Sequence, residues 1–160
     1  MTEPDRTATD DERDLVISRL IPVPRAKLYR CWTEPALIVQ WFTPPPWKTI
    51  AAETDLRAGG HSVITMQGPD GTQVPNRGIY LEVVPNERLV FTDAYTRAWV
   101  PSAKPFMTGI LTFDDEAGQT RYTARVRHWT VQDKAQHEAM GFHAGWGVAT
   151  DQLAALAATL

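Results

Sequence analysis

The sequence predicts a single α+β domain in which a curved antiparallel sheet of about seven strands is closed over an internal cavity by a long C-terminal helix. Three observations predict it. Short strand-like runs follow one another from Lys48 to Trp129, separated by turn signals and without helical interruption. Two short proline-led helical segments stand between an opening strand and that series. Residues 131–160 contain no proline, are rich in Ala, Gln and Leu, and carry a stripe at helical spacing.

A chain of 160 residues is one domain of ordinary size. With 43% hydrophobic and 22% charged residues it has a globular composition. The net charge is −3 and the basic residues are scattered, so nothing pulls the chain toward nucleic acid or an anionic membrane. No window is apolar for long enough to span a bilayer, and the start, Met1-Thr2-Glu3-Pro4-Asp5-Arg6, lacks the pattern of a secretory signal. A cytoplasmic location is therefore expected. The single cysteine, Cys31, allows no intrachain disulfide and no thiolate cluster; it reads as a small buried hydrophobe.

Residues 1–12 are polar and charged and read as a loosely held tail. Leu15–Ile21 suits a strand, stopped by Pro22 and Pro24. Arg25–Trp32 reads as a short helix with Leu28, Cys31 and Trp32 on one side. Thr33 is expected to cap a second, with Pro35 in its first turn and Leu37, Ile38 and Trp41 as its apolar face, ended by Pro44-Pro45-Pro46. Strands are expected over 48–56, 61–67, 72–84, 88–95, 106–113 and 120–129. The turns between them carry Gly59-Gly60, Gly68-Pro69-Asp70-Gly71 and Pro85-Asn86. Gly78 marks a bulge or closure point. Residues 96–105 form a loop holding Trp99.

Val131–Leu160 then fits one helix of about 25 residues, weakened in its middle by Gly141, Gly145 and Gly147. Trp146, Ala149, Leu153, Leu156 and Leu160 form the stripe expected to anchor it on the concave face of the sheet. Met140, His143 and Gly147 share another side, expected to face the cavity.

Alternation assigns the sheet faces. Arg121, Thr123, Arg125 and Arg127 belong to the solvent side, so Tyr122, Ala124, Val126 and His128 look inward. By cross-strand consistency Leu89, Phe91 and Asp93, and Met107, Gly109, Leu111 and Phe113, look inward as well. The expected cavity lining is thus Trp41, Met66, Tyr80, Phe91, Asp93 and Met107, joined by His128, Met140, His143 and Gly147. Trp99, in its proline-flanked loop, is expected either to close over a ligand or to form a homodimer contact.

Asp93, His128 and His143 are the polar candidates. Three roles are open to them: structural hydrogen bonds at strand ends, a polar anchor in an apolar pocket, or a general base. No metal site is expected, because His61, His128, His137 and His143 lack ligand spacing. Arg57-Ala58-Gly59-Gly60 lacks the lysine and spacing of a phosphate loop, and no Gly-x-Ser-x-Gly elbow exists. No cofactor is called for.

Ordered blocks along the chain carry a family resemblance: Trp32-Thr33-Glu34-Pro35 with Gln40-Trp41-Phe42, then Asp55-Leu56-Arg57-Ala58-Gly59-Gly60, then Gly78 to Pro85 with Arg88 to Thr92. Thr120 to Thr123, Met140 to Trp146 and Asp151-Gln152-Leu153 follow. The chain resembles the START-like, helix-grip superfamily of polyketide cyclases and the birch-pollen allergen type. Within it, the chain resembles the branch of homologues of the activator of the heat-shock-protein-90 ATPase. The resemblance covers residues 15–160. It implies one strand, two short helices, six more strands and a C-terminal helix gripping the sheet around a pocket, as one domain over residues 13–160. The family pattern has Leu where this chain has Ala149 or Thr150, a smaller residue that widens the cavity or relaxes packing.

The leading functional expectation is a non-enzymatic protein that binds a small hydrophobic, aromatic or lipid-like molecule. The alternative is a cyclase- or hydrolase-like enzyme using Asp93, His128 or His143. A chaperone-directed interaction protein ranks last, since fold alone does not transfer that role.

Overall fold

The computed structural model describes residues 10–160. The tail expected over residues 1–12 lies outside the described residues, except for its end. Asp10–Arg13 forms a single helical turn, α1.

The chain then runs through β1 (Asp14–Ile21), α2 (Arg25–Thr33) and α3 (Pro35–Trp41). Next come β2 (Lys48–Thr54), β3 (His61–Gln67), β4 (Gln73–Val84) and β5 (Arg88–Thr92). The stretch expected to be a plain loop forms a small hairpin, β6 (Tyr95–Arg97) and β7 (Val100–Pro101). β8 (Met107–Glu116) and β9 (Gln119–His128) complete the sheet. Two helices close the chain, α4 (Val131–Ala139) and α5 (Phe142–Ala157).

Among the described residues one seven-stranded sheet has the order β1-β9-β8-β5-β4-β3-β2, antiparallel throughout. Short hairpin links make neighbours in sequence neighbours in space, while α2 and α3 carry the chain from one edge of the sheet to the other. The sheet bends where backbones must close up. At Gly78 a Cβ would overlap the carbonyl of Thr92, so only glycine permits the approach of β4 to the end of β5.

The expected faces hold. Tyr122, Ala124, Val126 and His128 are buried along β9, alternating with half-buried Thr123, Arg125 and Arg127. On the solvent side Arg125 and Arg127 grip the buried carboxylate of Asp14 at 2.9–3.0 Å. Burial opposes the charge of Asp14, but the two guanidiniums outweigh it and hold its pKa below the ordinary 3.8.

The expected single C-terminal helix is two. Thr130 caps α4 by accepting a hydrogen bond from the Asp133 amide at 3.0 Å. Gly141, at φ 97°, ends that course and starts α5 on a new axis.

The core lies at one end of the concave face. There Leu153 and Ala157 of α5 pack with Leu28, Cys31 and Trp32 of α2 against Leu89, Leu111, Phe113 and Ala124 of the sheet. Cys31 is fully buried, and burial pushes its thiol up to about 11. The C-terminal half of α5 is seated in this way, while at its N-terminal end Phe142 packs with Leu15 of β1 and Val126 of β9. Gly145, Trp146, Ala149 and Thr150 of the same helix roof a cavity.

Candidate functional site

Between the sheet and the first turns of α5 lies a cavity of about 770 Å³. Its inner end is aromatic. The Trp32 ring meets Trp41 edge-on at 4.9 Å and lies 5.8 Å from both Phe42 and Phe91. Both indole N–H groups are engaged, that of Trp32 with the Tyr122 hydroxyl at 3.2 Å and that of Trp41 with the Cys31 carbonyl at 2.8 Å. The rings are therefore fixed, not adaptable. Tyr122 is fully buried and lines the cavity, and burial keeps its hydroxyl protonated by raising its pKa.

The outer end is built from α4, α5 and the approach to β8. Phe142 stacks on Trp146 at 5.3 Å, and both line the cavity beside Phe106, Met107 and Met140. Met140 is 70% exposed, so the mouth lies at the α4–α5 junction. Arg77 and Lys104, both exposed, line it from β4 and from the segment before β8. Ala149 and Thr150 also line the cavity.

His137 adds the one imidazole in this wall. Its Nδ1 lies 2.8 Å from Nε2 of His128, whose own Nδ1 donates to the Arg13 carbonyl at 2.9 Å. Burial, and then the neighbouring His128, push the His137 pKa down to about 4, so it is neutral at pH 7.

Of the residues expected from sequence, Trp41, Met66, Phe91, Asp93, Met107 and Met140 line the cavity. Asp93 does so as a brace: its Oδ1 accepts from the amides of Phe106 and Met107 at 2.9 and 3.1 Å. The rest lie elsewhere. Tyr80 is in the hydrophobic core, where burial pushes its hydroxyl up to about 12, while its neighbours Gly78 and Ile79 reach the cavity. Trp99 is 67% exposed at the tip of the β6–β7 hairpin, against Tyr95 and Gly59. His128 lies behind the wall and touches the cavity through His137. His143 is exposed and pairs with Glu138 at 2.9 Å, since the break at Gly141 rotates α5 relative to one continuous helix. Gly147 faces Arg19, which donates to its carbonyl at 3.2 Å. The expected meeting of Asp93, His128 and His143 therefore does not occur. Trp146 and Ala149, expected as anchors, pack against the hydrophobic core and line the cavity as well.

Sequence reasoning passed over His137, Phe106, Phe142 and Trp146 as lining residues. The glycine at 141 was the available signal, because a helix end there puts 137 and 142 on either side of a corner. Among the described residues no group of three or more His, Cys, Asp or Glu is placed to hold a metal ion, and no helix is long and apolar enough to cross a membrane.

A long helix gripping a curved antiparallel sheet around an internal cavity defines a START-like, helix-grip protein, an architecture for holding hydrophobic ligands. The profile of the family described as Activator of Hsp90 ATPase homolog 1-like protein matches residues 22–158, and the chain belongs to that family. Among solved structures, protein NE0264 from Nitrosomonas europaea is 39% identical, with a TM-score of 0.89 over 92% of this chain and 96% of its own. Protein Ms6760 from Mycobacterium smegmatis is 25% identical, with a TM-score of 0.77 over 92% of each chain. An AHSA1-like protein from Aeromonas hydrophila shares the fold at 21% identity and a TM-score of 0.71, over 91% of this chain and 92% of its own. No curated protein matches the chain.

Proposed function

We propose that the protein binds a small hydrophobic molecule, aromatic or lipid-like, in the cavity beneath α5. The observation that carries this reading is the cavity itself. Its volume of about 770 Å³ falls in the range of small-molecule sites, and aromatic and methionine side chains from both sheet and helices line it. A space of that size between rings held by hydrogen bonds has not collapsed. The lining also carries polar side chains, Tyr122 and His137 among them, of the kind such sites use to orient a ligand.

Gly145 supplies the test. It lines the cavity from α5, and a Cβ placed there meets nothing within 4 Å. Gly145→Phe should fill the cavity without disturbing the backbone. In calorimetric titrations with naphthalene, the parent protein is expected to bind and Gly145→Phe to lose at least tenfold in affinity, about 1.4 kcal/mol. Equal binding by parent and variant, or none by the parent, refutes the reading.

A further inference from the structure

The geometry points to a ligand bearing a hydrogen-bond donor, a hydroxyl on an aromatic ring, received at Nε2 of His137. This rests on the cavity being a site for apolar molecules, as proposed above, and says what chemistry that molecule carries.

Two hydrogen bonds dictate the polarity of the wall. The Arg13 carbonyl oxygen, 2.9 Å from Nδ1 of His128, can only accept, so this nitrogen bears the proton. In a neutral imidazole the other nitrogen is then the acceptor. Nε2 of His128 lies 2.8 Å from Nδ1 of His137, which therefore donates. The proton of His137 is thereby committed to the side facing His128. Its Nε2 is left as a bare lone pair, with no hydrogen-bond partner among the described residues.

The ring cannot turn freely to hide that lone pair. Phe106 and Phe142 hold it at centroid distances of 5.1 Å each, and all three rings line the cavity. The edge opposite His128 is the one left to the cavity. A neutral acceptor between apolar rings favours a neutral donor. A carboxylate has no proton to offer it, and an ammonium would lose its hydration against Phe106 and Phe142. An aromatic hydroxyl supplies the donor and an apolar body that stacks on the same walls.

β-Naphthol, its methyl ether and naphthalene separate the outcomes by calorimetry. The ether oxygen only accepts, so it confronts the lone pair where the naphthol satisfies it. The naphthol is expected to bind about 3- to 10-fold more tightly than its ether, the worth of one net hydrogen bond. In His137→Phe that ratio should fall to about one. Equal affinity of all three compounds for the parent overturns the acceptor and leaves the cavity reading standing. Failure of all three to bind overturns both. Nitrogen NMR of the parent protein gives a second readout, independent of any variant's folding. Both His128 and His137 should carry their proton on Nδ1 at neutral pH, and a proton on Nε2 of His137 overturns the inference.

Discussion

Phe91 of β5 lies across Gly109, its direct partner on β8, with its ring in the space that a side chain at 109 would occupy. The glycine thus lets an aromatic ring lie down on the sheet and leaves the volume above it to the cavity. Gly109→Ala should push the ring upward, costing about 1–3 kcal/mol as overpacking does. Urea melts would measure the stability and naphthalene titration the lost space. An unchanged midpoint together with unchanged affinity would show that Phe91 has room to spare.

Gly145 sits within α5 with no neighbour where its Cβ would be. Gly145→Ala should therefore stabilise the protein by about 0.5–1 kcal/mol, from helix propensity alone. Chemical denaturation checks this, and a destabilised variant would mean that the space is occupied in solution.

Leu153 and Trp146 lie on the same helix and do different work. Leu153 is fully buried in the core, whereas Trp146 is half-buried and lines the cavity. Leu153→Ala should cost about 2–5 kcal/mol, because it opens a void in close packing. Trp146→Ala enlarges a space that already exists and should cost less stability but more naphthalene affinity. Thermal melts and titrations of the two variants would show the reverse order if Trp146 were the anchor.

His143→Ala should change neither melting temperature nor ligand affinity by a measurable amount, since it removes an exposed pair with Glu138. A shift in affinity would place His143 at the cavity after all.

Stability should depend on pH through His137. Its pKa drops from the ordinary 6.5 to about 4 on folding, through burial and then His128. Between these values the unfolded chain binds more protons, so stability falls as the pH is lowered from about 6.5 to about 4, with no further loss from this group below. Asp14 acts lower down. Its contribution is complete above its ordinary 3.8 and is lost as the pH falls through its depressed folded value. Denaturant midpoints from pH 8 to pH 5 should decline in the parent and stay flatter in His137→Phe; identical profiles would argue against a buried neutral imidazole.

The alternation of Tyr122, Ala124, Val126 and His128 with arginines and a threonine was enough to orient the sheet, because a strand has two faces and only one can be wet. The same reasoning reached Phe91, Met107 and Met66 as cavity residues. It failed for His143 and Gly147, which both follow Gly141, and it missed that Trp146 borders the cavity as well as the core. Helical spacing carries a face forward along one axis only, and a glycine at positive φ resets that axis.

By itself, the sequence determined the architecture: the strand series, the two short helices, the inward face and the apolar C-terminal stripe all follow from local periodicity and turn chemistry. The tertiary structure decided which residues of that stripe are fully buried in the core and which also border the cavity. It also decided that His137 meets His128. Those are contacts between segments on different axes, and local periodicity carries no information about the angle at which two axes meet.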